Sequence, residues 1–134
     1  MLMATIRSRA RRKTAPPGLL QKDELSRLLF RERERADRNH HAFSLVVFEV
    51  GDMKVSVFRE FVKVLMERRR STDEIGWFES NQLGVILAES GASGADAYLG
   101  DLREKLTDSG LEMPETRVFM YKGNLEETPG DMPS

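Results

Sequence analysis

The run FSLVVFEV, residues 43–50, is short, almost wholly apolar and rich in β-branched and aromatic side chains. Such a composition is typical of a central strand of a sheet, because both faces of a central strand are buried. Gly51 and Asp52 come next and favour a turn. We therefore predict a central strand over 43–50 that ends at Gly51.

Beyond the turn, the pattern predicts a helix, a hairpin, a second helix and a last strand. The first helix extends to about Arg70, and Ser93 is a candidate N-cap of the second. Two short strands, 74–78 and 82–88, flank Glu79-Ser80-Asn81 and predict a β-hairpin, and 117–121 is the last strand. The apolar positions of the two helices are Val55, Phe58, Phe61, Val62 and Leu65, and then Ala95, Tyr98, Leu99, Leu102 and Leu106.

Residues 23–38, before the central strand, predict one more helix. Leu25, Leu28 and Leu29 form its apolar stripe, whereas Arg-Glu-Arg-Glu-Arg over 31–35 is too charged to bury. We expect that run to be a solvated face with pairs such as Glu34–Arg38. A helix followed by β-α-β-β-α-β predicts an α+β fold with a ferredoxin-like core, a four-stranded antiparallel sheet with two helices on one face.

The overall composition fits one soluble domain. Of the 134 residues, 40% are hydrophobic and 32% are charged, which suits a chain that buries a core without disulfides. We divide it into a disordered basic arm over 1–18, a folded domain over 19–122 and a flexible tail over 123–134. The sequence has no cysteine, no apolar run long enough to span a bilayer and no secretory signal, so we expect a cytoplasmic location.

The charge distribution gives little evidence for a nucleic-acid partner. The net charge is −1 at pH 7, and the basic arm supports at most weak, salt-sensitive binding to nucleic acid or to an anionic membrane. We expect a solvated arm, with neither a specific nucleic-acid site nor a membrane span. The cations of the arm are Arg7, Arg9, Arg11, Arg12 and Lys13.

Few residues indicate a catalytic, metal-binding or interface role on their own. His40 and His41 are adjacent, but no acidic cluster accompanies them, so a solvated loop is favoured over a metal site. No serine stands in a motif with a histidine, so no catalytic triad is predicted. Trp77 and Phe78 point to opposite faces of one strand. One of the two should lie in the core, and the other is either packed under a loop or exposed as an interface anchor.

The order and spacing of several short motifs resemble those of the GGDEF family, the diguanylate cyclases. Residues 23–31, Asp-Glu-Leu-Ser-Arg-Leu-Leu-Phe-Arg, are similar to the family's Asp-x-Leu-Thr-x-Leu-x-Asn-Arg. Arg70-Ser-Thr-Asp73 matches its Arg-x-x-Asp. After five intervening residues, 74–78, Glu79-Ser80-Asn81-Gln82-Leu83 stands where the signature Gly-Gly-Asp/Glu-Glu-Phe hairpin lies. The resemblance covers about 22–122, and the run from Arg27 to the strand end at 87–92 also resembles the short form found with bacterial exopolysaccharide sugar transferases.

The resemblance implies a two-metal cyclase site, most of whose residues are replaced here. In the family, an Asp at a strand end and an acid of the hairpin hold the metals; Glu49 stands in the first position and the amide Gln82 in the second. An amide is a poor substitute for a carboxylate around Mg²⁺. Glu79 and Ser80 replace two glycines that let the backbone approach phosphate, and the charge of Glu79 repels it. Glu49 is thus the only remnant ligand position, and we expect no metal and no cofactor.

The family's segment that recognises guanine and ribose also has no counterpart. Residues 51–54 connect the first strand directly to the helix at Val55, a much shorter connection than the family's usual one. With the substrate unplaced and the metal ligands replaced, we expect a degenerate domain that is not an enzyme.

Three functions remain to be compared. The leading hypothesis is a non-catalytic regulatory or interaction module, with a protein partner, in bacterial signalling or exopolysaccharide synthesis. The second is a cyclic di-GMP receptor, because Arg70 and Asp73 match the family's inhibitory site and Arg68 and Arg69 would add positive charge. The plain alternative is that Asp73 caps a strand or pairs with a neighbouring arginine. The third is a divergent nucleotide-processing enzyme centred on Glu49.

Overall fold

The computed structural model describes residues 18–122. Apart from Gly18, the predicted basic arm lies outside the described residues, as does the predicted tail over 123–134, so this division of the chain stays a prediction. The described part contains three helices and four strands. In chain order they are α1 (Lys22–Asn39), β1 (Phe43–Glu49), α2 (Val55–Arg68), β2 (Asp73–Glu79), β3 (Gln82–Leu87), α3 (Ala92–Asp108) and β4 (Thr116–Tyr121).

The four strands form one antiparallel sheet in the order β2-β3-β1-β4. Val46 of β1 lies opposite Val85 of β3 on one side and Val118 of β4 on the other. β1 is therefore central, and six of its seven residues are buried because strands flank both of its edges and helices cover both of its faces. This confirms the predicted α+β fold with a ferredoxin-like, four-stranded antiparallel sheet.

Two apolar clusters cover the two faces of the sheet. On one face α2 and α3 pack against β1 and β2, with the ring of Phe58 stacked 5.6 Å from that of Trp77. On the other face Leu25, Leu29 and Ala36 of α1 contact the opposite side of β1. Trp77 is buried in the first cluster, whereas Phe78 is half-buried against the second. Phe78 is therefore held under α1 and is not a free interface anchor.

The segment before α1 covers the outer edge of β2. The Leu20 N–H donates to the Ile75 carbonyl, and the Trp77 N–H donates to the Leu20 carbonyl, each over 3.0 Å. Leu20 passes so close that a Cβ on Gly76 would lie 2.7 Å from the Leu20 Cβ. These bonds satisfy an edge that would otherwise be open to another strand.

Three local predictions are wrong. α3 begins at Ala92 with Gly91 as its N-cap, and no side chain, Ser93 included, caps it. Glu32, expected to be solvated, is buried because it lies on the same side of α1 as Leu29 and Ala36, and Arg35 pairs with it over 3.2 Å. Glu34 and Arg38 form no ion pair with each other within residues 18–122. Among the described helices, none is both long and apolar enough to cross a bilayer.

Candidate functional site

The hairpin of β2 and β3 places the signature positions next to the end of β1. Glu79 is paired with Gln82 across the turn, after a register irregularity at Phe78. β3 is also paired with β1, and in that register Gln82 lies directly opposite Glu49. The structure therefore brings together the two positions, Glu49 and Gln82, that the resemblance relates to metal ligands.

Glu49 is engaged by other side chains at this point. The Gln82 amide nitrogen Nε2 donates a hydrogen bond to Glu49 Oε2, and Arg117 Nη2 of β4 lies 3.8 Å from the same oxygen. An amide N–H and a nearby guanidinium can together balance a carboxylate without a metal ion. No group of three or more acidic, histidine or cysteine side chains that could hold a metal ion occurs in the part of the chain that the structure describes.

The turn of the hairpin is fastened to its surroundings on two sides. Glu79 forms an ion pair with Lys22, the first residue of α1, with Nζ 2.9 Å from Oε1. The Asn81 carbonyl accepts a 3.0 Å hydrogen bond from the Val50 N–H. The Gly51 backbone passes so close to Asn81 that a Cβ at position 51 would be 3.0 Å from the Asn81 Cβ. These contacts hold the turn against the start of α1 and the end of β1.

An open depression of about 770 Å³ lies beside this turn. The β1–α2 connection, Asn81 and the α3–β4 connection line it. Its charged lining residues are Glu49, Asp52, Glu112, Glu115 and Lys54. Four carboxylates against one ammonium repel a triphosphate unless cations neutralise them.

Arg70 and Asp73 lie at the opposite end of the same two strands. Glu79 is six residue steps along β2 from Asp73, which amounts to about 20 Å. Arg70 Nη2 donates to Asp73 Oδ1 over 3.1 Å, and the Arg70 backbone N–H donates to Oδ2 over 3.0 Å. The Asp73 side chain is fully buried, whereas the Arg70 side chain is 49% exposed. Only Arg70 of this pair is therefore placed to reach a ligand.

The three consecutive arginines do not form the cationic patch that the sequence suggested. Each has a carboxylate partner: Asp101 comes from α3, whereas Glu74 and Asp73 lie at the start of β2, close to the arginines in sequence. The pairs are Arg68–Asp101, Arg69–Glu74 and Arg70–Asp73. Arg70 Nη2 also donates to the hydroxyl of Ser90, over 3.3 Å, which ties the start of β2 to the segment after β3. The local charge is balanced rather than strongly positive.

A cavity of about 490 Å³ lies beside the exposed half of Arg70. α1, the start of β2 and the segment after β3 line it. Its lining includes three cations and three anions: Arg31, Arg35 and Arg70, and Glu32, Glu74 and Glu89. Arg35 is paired with Glu32 and with Glu89, at 3.2 and 3.6 Å, and Arg70 is paired with Asp73, which leaves Arg31 as the lining arginine without an ion pair to a described residue.

Tyr98 of α3 lies buried beneath the Arg70–Asp73 pair. Burial, and next the negative charge of Asp73, raise the pKa of the Tyr98 hydroxyl above its ordinary value, while Arg68 and Arg70 act in the opposite direction. The Arg68 guanidinium carbon lies 5.0 Å from the centre of the Tyr98 ring. Tyr98 is therefore a neutral, apolar support for this end of the sheet.

Sequence reasoning missed Lys22, Arg117 and Ser90, the partners of Glu79, Glu49 and Arg70. Each partner is distant along the chain, and no local pattern marks it. The loop expected at His40 is present, and there His40 takes a left-handed conformation, φ 57°, that ends α1.

Comparison with known proteins gives a clear result for the fold only. The sequence matches no protein-family model, and no curated protein matches it. Solved structures of GGDEF domains do match. The diguanylate cyclase SiaD of Pseudomonas aeruginosa, solved with its activator SiaC, has a TM-score of 0.68 at 18% identity over 84% of this chain and 51% of that chain. This chain thus spans about half of SiaD.

Two further structures agree. The GGDEF domain of FimX from Pseudomonas aeruginosa has a TM-score of 0.69 at 11% identity, over 85% of this chain and 83% of that one. The GGDEF domain of DgcB from Caulobacter crescentus, solved with c-di-GMP, has a TM-score of 0.67 at 13% identity, over 81% and 74%. Residues 18–122 therefore adopt the fold of GGDEF domains.

Proposed function

We propose that this chain is a non-catalytic, degenerate GGDEF-fold module that acts in the bacterial cytoplasm through a protein partner, in cyclic di-GMP signalling or exopolysaccharide synthesis. The observation that carries the proposal is the side-chain arrangement at Glu49. Its carboxylate is bound by Gln82 and lies near Arg117, so a metal ion would have to displace both contacts. At the position of the family's second carboxylate this chain has Gln82, a neutral amide, which does not supply the negative charge that a metal ion requires.

The shape and charge of the adjacent depression support the same proposal. A nucleoside triphosphate would meet four carboxylates and one lysine there, in a depression that Asn81 of the hairpin also lines. The connection between β1 and α2 is only 50–54, which leaves little chain to recognise a base. Similarity to SiaD with its activator supports a protein partner for this fold, and the association with sugar transferases rests on the sequence resemblance alone.

The test is incubation of the purified full chain with GTP, and separately with ATP, in the presence of Mg²⁺ or Mn²⁺. Products are separated by chromatography beside an active GGDEF domain. We expect unchanged nucleotide. Cyclic di-GMP, or any other product that disappears in the Glu49→Gln variant, would contradict the proposal and favour a divergent enzyme centred on Glu49.

A second candidate is a receptor for cyclic di-GMP at Arg70. The half-exposed guanidinium beside the 490 Å³ cavity favours it, with Arg31 on the facing helix as a second cation. The buried Asp73 already accepts bonds from Arg70, so it would orient the arginine rather than contact the ligand.

Calorimetric titration with cyclic di-GMP tests this candidate. Arg70→Lys keeps the charge beside Asp73 but loses the planar fork, so we expect affinity to fall about ten- to hundredfold. Arg69→Lys is the matched control, because Arg69 does not line the cavity. Absence of heat at millimolar ligand, or equal effects of the two variants, would remove the receptor candidate.

A further inference from the structure

The outward face of α1 carries charged side chains that form no ion pair with any residue of 18–122. The face consists of Asp23, Arg27, Phe30, Glu34 and Arg38, which we call the outer stripe. These positions follow one another at intervals of three or four residues, so they form one row along the helix. The row lies opposite Leu25, Leu29 and Ala36, the residues that α1 buries against the sheet.

Every member of the outer stripe is exposed. Phe30 is 61% exposed and is one of the large apolar side chains that the described structure leaves in solvent. Asp23, Arg27, Glu34 and Arg38 form no ion pair with any described residue. An exposed aromatic ring at the middle of a helix, flanked by unpaired charged side chains, is typical of an interface with a central anchor and a polar rim.

The order of the charges along the outer stripe selects its partner. α1 runs from residue 22 to residue 39, so its midpoint lies next to Phe30. From one end to the other the stripe reads acid, base, aromatic, acid, base. Turned end over end, the same stripe presents a base where it had an acid and an acid where it had a base. The surface is therefore complementary to itself, as a two-fold symmetric interface requires.

We infer that the outer stripe is a docking surface for a second copy of this chain, with the two α1 helices antiparallel about an axis at Phe30. Arg27 then lies opposite Glu34 of the second copy, and Asp23 lies opposite Arg38. Symmetry repeats each pair, so four ion pairs flank the two Phe30 rings. The inference is independent of the proposed function, since it needs neither cyclic di-GMP nor another protein.

A parallel pair of helices is excluded by the same charges. In a parallel arrangement every member of the stripe faces its own equivalent, so Asp23, Arg27, Glu34 and Arg38 would each meet a like charge. The antiparallel arrangement turns all of these into attractive contacts. Because exposed ion pairs are weak individually, we expect an association in the micromolar to millimolar range, anchored by Phe30.

The test is sedimentation equilibrium of the full chain from micromolar to millimolar concentration. We expect a monomer–dimer equilibrium that weakens about tenfold or more in Phe30→Ser, because an aromatic ring is lost at the centre. Arg27→Glu, which puts a carboxylate opposite Glu34 of the second copy, should weaken it several-fold. Arg27→Glu combined with Glu34→Arg should restore the dimer, since it re-creates both pairs in the opposite sense. All three positions are exposed, so the variants should unfold at the wild-type midpoint.

Two further measurements make the result decisive. Arg103→Glu, an exposed position on α3, changes the net charge by the same amount as Arg27→Glu and should leave the dimer unchanged. The chain has no cysteine, so a spin label can be placed at Asn39→Cys alone. Antiparallel helices hold the two labels about 25 Å or more apart, and parallel helices hold them side by side.

A monomer at every concentration, a dimer that tolerates Phe30→Ser, a failure of the double exchange to restore association, or a short distance between the labels would each overturn the inference.

Discussion

Gln82 donates its side-chain amide to Glu49 across the β3–β1 pair, at the place where the cyclase family has two carboxylates around metal ions. The neutral amide makes the pairing favourable without a cation. Two carboxylates in the same register would repel each other unless a metal lay between them. The Gln82–Glu49 contact therefore joins the hairpin to the end of β1.

Restoring the signature hairpin alone should not create a cyclase. The quadruple variant Glu79→Gly, Ser80→Gly, Asn81→Asp and Gln82→Glu recovers the acid and the glycines, but the connection over 50–54 still offers no base-recognition segment. Misplacement of the substrate alone can cost orders of magnitude in rate. The assay is chromatographic detection of cyclic di-GMP from GTP and Mn²⁺. Detectable product would show that the short connection is sufficient.

Gly76→Ala should destabilise the domain by about 1–3 kcal/mol, because the new Cβ would overlap the Leu20 backbone and push the segment before α1 off β2. Gly100→Ala is the matched control. Position 100 lies in α3 with nothing within 4 Å of the added Cβ, so alanine should stabilise by up to about 1 kcal/mol. Urea unfolding measures both. A Gly76→Ala variant as stable as the wild type would mean that Leu20 does not pair with β2.

Arg70→Ala should lower the free energy of unfolding by about 1–3 kcal/mol, because it leaves the buried Asp73 carboxylate without its side-chain donors. Arg69→Ala should change it by no more than about 0.5 kcal/mol, since both Arg69 and Glu74 are partly exposed. Urea unfolding at neutral pH compares the two. Equal stability of the two variants would show that Asp73 draws its stabilisation from the backbone N–H alone.

The free energy of unfolding of the domain should fall in alkaline solution because of Tyr98. Its pKa is raised in the folded state by burial, whereas in the unfolded chain it is about 10. Above about pH 10 the unfolded state therefore releases a proton that the folded state keeps, and the free energy of unfolding falls as the pH rises.

Thermal unfolding on both sides of pH 10 measures this loss. Tyr98→Phe should remove it and should be almost neutral at pH 7, because the hydroxyl donates no hydrogen bond within the described residues. Tyr121→Phe, the control at the only other tyrosine, should retain it. Identical pH profiles of the two variants would contradict the assignment to Tyr98.

The sequence alone determined the elements and their order, because these depend on local periodicity. The apolar run over 43–50 predicts β1, and the helical spacing from Val55 to Leu65 predicts α2. The predicted bounds of both elements are correct to within one or two residues. β-α-β-β-α-β then leaves few ways to close a sheet. The Arg-x-x-Asp spacing likewise placed Arg70 next to Asp73, a contact between neighbours in sequence.

Only the tertiary structure decided which charged residues form ion pairs and with which partners. Arg68–Arg70 read as a cationic patch in the sequence, but packing brings Asp101 and Glu74 to two of them and buries Asp73 beside the third. The Glu49–Gln82 bond depends on the register of two strands, and Lys22–Glu79 joins residues 57 positions apart. Long-range pairing depends on how whole elements pack, and no local pattern carries that information.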